Sequence, residues 1–385
     1  MWVDYSIEGT SSSFKIHAAY GFSDSKFHCI LTGMSTLSDS NQATINIGSV
    51  TNVNYPMYYG TTFILAGVDG AWVTSSTGSI GPWMTQSLKY IGDRNLRHIC
   101  IPGSHDSGMC LLTDKTVVAS AATAVTQHRG IDDQLRLGIR FFDIRPIRWN
   151  GKLQCGHVGY INDLLKWQGG TGQSIDDIVS QVNGFTDNNP ELVILNVSHD
   201  YNADNNYNGF SDGDWNELFS KLDGLKHRFT ADKGTDLSLK PLKDFIGNNQ
   251  AAVVLRFESG GDKLGDREGK GFFRTSSMPI YDSYANSDDP DSLMKDQFNK
   301  LNNERSSSDN QMFSLDWAMT MQGAGDAVWE NLLHWADAYM TPRLGSDVLP
   351  RSSKNVYPNI IGVDGVQFTD AVAIATAINT RAVYG

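Results

Sequence analysis

Two hydrophobic patterns divide the chain. Up to about residue 82, short apolar runs are interleaved with polar residues, as in Phe27-His28-Cys29-Ile30-Leu31, Ala43-Thr44-Ile45-Asn46-Ile47 and Thr62-Phe63-Ile64-Leu65-Ala66. Gly, Asn and Ser turns separate them. This pattern predicts a small all-β, sandwich-like domain over residues 1–82. The tract Thr74-Ser75-Ser76-Thr77-Gly78-Ser79-Ile80-Gly81-Pro82 reads as its linker. From residue 83 onward, continuous apolar runs alternate with helix-like stretches. Strands are predicted at 97–102, 138–145, 153–157, 192–198, 252–257, 279–283, 311–316 and 359–364. Helical patterns fall at 173–185, 214–224, 291–303 and 366–380. Such alternation favours parallel strands joined by crossovers. Eight strands in about 300 residues fit an α/β fold, a distorted TIM (β/α)8 barrel over 83–385. Long loops over 157–192 and 259–278 would distort it.

Composition narrows the function. The chain has 385 residues, enough for about two domains. It carries 31 basic and 43 acidic residues, a net charge of −12, and a pI near 5.1. That balance argues against a nucleic-acid partner, which calls for a basic patch. Charge is sparse before residue 85, where the acids are Asp4, Glu8, Asp24, Asp39 and Asp69 and the bases Lys15 and Lys26. The Tyr55-Pro56-Met57-Tyr58-Tyr59 cluster there fits either a lipid- or glycan-binding surface or the aromatic edge of a sandwich core. The acidic balance argues against electrostatic attraction to anionic lipid. No run approaches the roughly 18 apolar residues of a membrane-spanning helix. The opening MWVDYSIEGTSSSF has no basic and apolar leader pattern, which leaves secreted and cytoplasmic locations both open. Four cysteines, Cys29, Cys100, Cys110 and Cys155, form no CxxC pair and read as ordinary core thiols. The sequon Asn196-Val197-Ser198 lies inside a strand pattern and reads as chance.

The chemistry sits at the strand ends. The predicted strands finish at Ser104-His105-Asp106, Asp143-Ile144-Arg145, Gly156-His157, Ser198-His199-Asp200, Arg256-Phe257-Glu258, Asp282-Ser283-Tyr284, Asp316-Trp317 and Asp364. In a barrel these ends surround one mouth. Desolvated charge is costly, so stability alone does not account for eight polar ends at one place. Histidines titrate near neutral pH and serve as acid and base. An arginine fork matches phosphate oxygens. Together they read as phosphodiester cleavage. The rival is a metal hydrolase built on His105, Asp106, His199 and Asp200, but adjacent residues on a strand point to opposite faces.

Three blocks resemble a known family. Ile101-Pro102-Gly103-Ser104-His105-Asp106-Ser107-Gly108 looks like the opening signature of the phosphatidylinositol-specific phospholipase C X domain. Gln134-Leu135-Arg136-Leu137-Gly138-Ile139-Arg140-Phe141-Phe142-Asp143-Ile144-Arg145 looks like its second block, and Cys155-Gly156-His157 like its third. The resemblance is strong over about 95–205, collinear to the end, and absent from 1–85. It implies a distorted TIM barrel acting on an inositol phospholipid or related phosphodiester at a transient membrane surface. By it, His105 is the general base on the inositol 2-hydroxyl and His157 the general acid toward the leaving oxygen. A cyclic inositol phosphate would form and then be opened by water. Arg145 matches the bacterial-type, metal-independent branch, so no cofactor is expected. The alternative is the Ca2+-dependent branch, with Asp106, Asp143, Asp200 and Glu258 as candidate ligands.

The resemblance further implies that Asp106 sits near the phosphate or positions Arg145, and that Asp364 orients His105, with Asp316 competing for that role. Arg256 and Asp282 would contact inositol hydroxyls, and Tyr284 would stack on the ring. Relatives often carry a Lys near the end of the fourth strand, where this chain reads Val197-Ser198-His199-Asp200-Tyr201. His199 is the candidate substitute, and the headgroup is open between phosphatidylinositol and another. A repurposed barrel that binds an inositol phosphate or lipid without cleaving it is the second class.

Overall fold

A computed structural model describes residues 82–305, 311–322, 331–366 and 371–384, together with the backbone of six strands before residue 78. Those strands are β1 (Trp2–Ser6), β2 (Ser13–Ser23), β3 (Lys26–Thr36), β4 (Gln42–Asn46), β5 (Thr61–Gly67) and β6 (Trp72–Thr77). β1 and β4 form an antiparallel pair, and β3-β2-β5-β6 form a four-stranded antiparallel sheet. The all-β reading of this segment therefore holds. Thr74–Thr77 belong to β6 rather than to a linker, because their backbone pairs with β5. The Tyr55–Tyr59 cluster lies outside the described residues.

Eight parallel strands form the barrel wall. They are β7 (Ile101–Ser104), β9 (Phe141–Ile144), β13 (Leu192–Val197), β16 (Ala252–Phe257), β17 (Phe272–Arg274), β18 (Ile280–Tyr281), β19 (Met312–Trp317) and β20 (Ile360–Val363). Their order is β17-β16-β13-β9-β7-β20-β19-β18. Among the described residues no ladder joins β17 to β18, so the barrel is open between two strands consecutive in sequence. β13 and β16 are buried along their whole length, as strands covered on both faces are. Helices Ile175–Thr186, Asp212–Leu222 and Pro290–Glu304 begin at Ser174, Ser211 and Asp289, whose side chains accept a hydrogen bond from the third helical residue. Acidic first turns complement the dipole of each.

Two strand assignments change. The run 153–157 belongs to a second, six-stranded sheet, not to the barrel. That sheet contains β8 (Asp114–Lys115), β10 (Pro146–Trp149), β11 (Lys152–Asn162), β12 (Lys166–Ser174), β14 (Tyr201–Asn202) and β15 (Asn208–Gly209). Its order is β15-β14-β10-β11-β12-β8. The sequence KLQCGHVGYIN is interrupted by polar residues and glycines, which suits a sheet with an exposed side rather than a doubly covered barrel strand. The eighth barrel strand is instead Phe272–Arg274, inside the stretch expected to be irregular. Three residues are too few to display a period. The connection 157–192 is likewise not a loop but the β11–β12 hairpin followed by helix Ile175–Thr186.

The first strand starts later than expected because Leu96–His98 form a 3-10 turn. Arg97 there pairs with Asp236 at 2.6 Å and donates to Ser238. At the same end of the barrel, buried Glu191 accepts from Arg140 Nε at 2.9 Å and from the backbone N–H groups of Met84 and Thr85. This ties the first turn of helix Trp83–Ile91 to the barrel.

Candidate active site

His105 and Asp106 leave the end of β7, Arg145 follows β9, Ser198 and His199 follow β13, and Asp364 follows β20. Because β20, β7, β9 and β13 are neighbours in the sheet, these ends meet. The signature glycines have a packing reason. A Cβ on Gly108 would lie 2.3 Å from Cys155 Sγ, and one on Gly156 would lie 2.5 Å from Ile147 Cγ2. The first gap lets the loop after β7 approach strand β11, and the second lets the Ile147 side chain of the neighbouring strand lie against β11. Gly156 N–H donates to the Arg145 carbonyl at 3.0 Å, so the register that pairs β10 with β11 sets His157 beside Arg145.

His105 Nδ1 lies 2.7 Å from Asp364 Oδ1, and Asp364 is buried. A carboxylate only accepts, so Nδ1 carries the proton and Nε2 presents its lone pair. Arg145 Nη2 donates to that Nε2 at 2.7 Å. Arg145 is fixed in turn by Asp143, whose Oδ2 accepts from Nε at 2.8 Å. Asp143 also accepts from Ser198 Oγ at 2.6 Å and from the Asp106 backbone N–H at 3.1 Å. Asp364, not Asp316, is therefore the carboxylate that fixes the His105 ring.

Asp106 is fully buried in a left-handed conformation, φ 43°. Neither of its carboxyl oxygens has a hydrogen-bond partner, and neither does His157 Nδ1. Asp106 Oδ2 stands 3.9 Å from Arg145 Nη1 and 3.9 Å from His157 Nδ1. Strain and unmet polar atoms concentrate where a ligand completes the network.

The charges divide sharply. Burial favours a neutral Asp143, but Arg145 and then His105 overcome it and hold the carboxyl down at about 2. Burial pushes its neighbour Asp106 up to about 7 against the pull of Arg145. Burial also works against the cation of His105, yet Asp364 outweighs burial and Arg145 and raises its pKa above the usual value. For His157, burial, then the charges of Arg145 and His105, push the pKa down to about 3. A backbone hydrogen bond at Ala124 favours the cation but does not offset these influences. Two histidines at one mouth thus have opposite shifts.

The remaining candidates are placed unevenly. His199 adopts φ 58° with its Nδ1 3.1 Å from Ser198 Oγ. It lines a small cleft with Arg145, Ile147, Gly156, Val158 and Tyr201. Burial, then Arg145, lowers its pKa. Arg256 is only 4% exposed and donates to the Met278 carbonyl, Asn196 Oδ1 and Glu258 Oε1 at 2.9, 2.6 and 2.6 Å. It is a strut under Glu258. Asp282 and Asp316 share a hydrogen bond between their carboxyl groups. Burial and then Asp282 push Asp316 well above the ordinary carboxylate range. Tyr284 is 61% exposed and lies outside this hydrogen-bonded cluster.

Residues that sequence reasoning missed complete the site. Gln127, fully buried, donates through Nε2 to the His105 and Val363 carbonyls at 2.7 and 3.0 Å and accepts from Val366 N–H at 3.1 Å. Thr126 Oγ1 donates to the Asp106 carbonyl at 3.0 Å. Together they clasp the strand ends that carry His105 and Asp364. No pattern marks a lone Gln in a loop. Among the described residues no group of three or more His, Cys, Asp and Glu side chains is arranged to hold a metal ion.

No protein-family model matches the chain. A PI-PLC X-box domain-containing protein of Dictyostelium discoideum is 30% identical over 134 residues, 32% of this chain and 17% of that protein. A 1-phosphatidylinositol phosphodiesterase of Staphylococcus aureus is 25% identical over 187 residues, 48% of this chain and 55% of the enzyme. A human PI-PLC X domain-containing protein is 26% identical over 151 residues, 34% of this chain and 47% of its own. The chain thus matches about half, or much less, of each of these relatives. Among solved structures, a variant of the phosphatidylinositol-specific phospholipase C of S. aureus superposes with TM-score 0.56 at 18% identity, covering 79% of this chain and 97% of that one. The enzyme of Listeria monocytogenes gives 0.52 at 18%, covering 78% and 98%. The fold is that of these barrels, and the resemblance read from the three sequence blocks is present in both comparisons.

Proposed function

We propose that the chain is a phosphoric diester hydrolase of the phosphatidylinositol-specific phospholipase C type, working without a metal. The observation that carries this reading is the His105 ring. It is fixed by Asp364 in its proton-accepting tautomer, with Arg145 donating to the accepting nitrogen. A phosphodiester monoanion entering the mouth offers Arg145 better acceptors than an imidazole. As the guanidinium turns to the phosphoryl oxygens, His105 Nε2 is released to take the proton of the inositol 2-hydroxyl. That oxygen attacks the adjacent phosphorus, and the bond from phosphorus to the glycerol oxygen breaks. His157 delivers a proton to the departing oxygen. Diacylglycerol and a cyclic inositol phosphate result, and water opens the ring with the two histidine roles reversed.

With its pKa pushed down to about 3, the His157 ring is neutral before substrate binds, so its role as the acid requires the bound phosphate to raise that value. A phosphate anion beside it favours the imidazolium, and Asp106, 3.9 Å away, adds to this only once it ionises. Arg145 provides the charge that a calcium ion would supply, which supports metal independence. The relatives' names concern inositol phospholipid, and the strand-end chemistry supports the same substrate class here. The test is a panel of phosphatidylinositol, phosphatidylcholine and glycerophosphodiesters with the wild type, His105→Ala and His157→Ala. Inositol phospholipid is expected to turn over, and each variant to lose at least about 10²-fold. Undiminished turnover in either variant would remove that residue from the mechanism, and no turnover of any diester would favour a binding barrel.

A further inference from the structure

The six-stranded sheet carries a second feature beyond His157. Hairpin β11–β12 runs outward from His157 to the turn 162–166, where Leu164 is 88% exposed. In the loop after β8, at the edge of the same sheet, Val117 is 96% exposed. Both are held out by ordered backbone. Asn162 Oδ1 accepts from the N–H groups of Leu164 and Leu165, each at 2.9 Å, and the Tyr160 hydroxyl donates to Asp163 at 2.5 Å. Thr116 N–H donates to the Gly169 carbonyl at 2.9 Å, and Thr116 Oγ1 and Val118 N–H both reach Gln168 Oε1. Behind these tips a run of rings leads back to the mouth. Tyr160 meets Trp167 edge-on at 6.0 Å, Trp167 meets Tyr201 at 5.0 Å, and Tyr201 meets His199 at 5.9 Å.

We propose that this edge of the sheet is the face on which the protein sits on a lipid bilayer. Leu164 and Val117 enter the acyl boundary, and the Tyr160 and Trp167 rings lie at headgroup depth. The inference rests on the reading of the mouth as a lipid phosphodiesterase site. A protein partner of ordinary size calls for a continuous, well-packed patch. Here the aliphatic tips are isolated and protruding, with Thr116, Asp163 and Lys166 between and beside them, and amphipathic rings behind. That order matches the depth profile of a membrane interface. Strand β11 joins the surface to the chemistry, since one strand bears both His157 and the base of the tip. With a net charge of −12, attachment comes from insertion rather than from attraction to anionic lipid.

The test uses the full chain and sedimentation with vesicles of phosphatidylcholine, with and without phosphatidylglycerol. Val117→Ser/Leu164→Ser is expected to lower partitioning by about 10- to 100-fold on both lipids. Hydrolysis of phosphatidylinositol in vesicles should fall by a similar factor, and hydrolysis of a water-soluble, monomeric inositol phosphodiester should not change. Leu164→Trp should retain binding. Leu239→Ser alters an exposed leucine beside Asp236 and Arg97, at the opposite end of the barrel, and should bind as wild type. Wild-type partitioning by the double variant would overturn the proposal and favour a protein partner for this edge. So would equal losses on the vesicle and soluble substrates. If the wild type cleaves neither substrate yet loses vesicle binding on the double substitution, the enzymatic reading fails and the membrane face stands.

Discussion

Asp364→Asn isolates the electrostatic part of the proposed base. In the wild type a buried carboxylate meets His105 Nδ1 at 2.7 Å and raises the imidazole pKa against burial and Arg145. Two unit charges about 4 Å apart interact by about 4 kcal/mol at an effective dielectric near 20. The ring spreads its charge, and Asn keeps a dipole, so about 1.5–3 kcal/mol should be lost. That is about one to two pK units. The same quantity stabilises the imidazolium formed during attack. Asn also presents its amide N–H to Nδ1, which moves the ring proton to Nε2 and removes the base. The combined loss in kcat should be about 10² to 10⁴.

The assay is kcat/KM from pH 4 to 9 on a soluble inositol phosphodiester. The acid limb reports deprotonation of His105 and should move to lower pH in the variant. Stability gives an independent sign. A histidine raised in the folded state contributes stability that is fully present below its unfolded pKa and is lost as pH rises through the folded one. Asp364→Asn should therefore cost more stability at pH 5 than at pH 9. A kcat/KM within about fivefold of wild type, or an acid limb that does not move, would refute the assignment.

The other expectations follow from the same cluster. Arg145→Lys keeps charge but loses the fork that spans Asp143 and His105, so kcat should fall at least about 10²-fold, with EDTA leaving wild-type rates unchanged; abolition by EDTA and rescue by calcium would contradict this. Asp106 is raised to about 7, so its stabilising contribution is present below the unfolded pKa and is lost as pH rises to about 7. Asp106→Asn should therefore raise the melting temperature more at pH 8 than at pH 4 while lowering kcat, and equal shifts at both would refute the titration. Gln127→Leu removes a donor from the His105 and Val363 carbonyls and an acceptor from Val366 N–H, leaving the His105 carbonyl without its side-chain partner, at a cost of about 1–3 kcal/mol in denaturant unfolding. It should lower kcat more than it raises KM; a change in KM alone would place Gln127 outside the positioning of His105.

What the sequence displays depends on how far each signal is local. β13 and β16 appear in it almost residue for residue, because a strand covered on both faces is an unbroken apolar run. His105 and Asp364 are legible as strand ends, and closure of the sheet order brings them together. His157 is legible as part of a motif but not as part of its sheet, since register with β10 rather than periodicity puts it at the mouth. The contact between Arg145 and His105 spans two strand ends, and no spacing announces it. Arg256 looks like a ligand residue in sequence, yet its neighbours Asn196 and Glu258 absorb it into a buried strut. Gln127 acts through backbone carbonyls, which leave no trace in side-chain pattern.

The central claim is that the substrate's own hydroxyl, not water, attacks first. Phosphorus NMR of phosphatidylinositol cleavage in H₂¹⁸O tests it directly. A cyclic inositol phosphate should appear first and free of ¹⁸O, followed by an acyclic monophosphate carrying one ¹⁸O on phosphorus. An acyclic phosphate already labelled in the earliest samples, with no cyclic species before it, would contradict the roles given to His105 and His157.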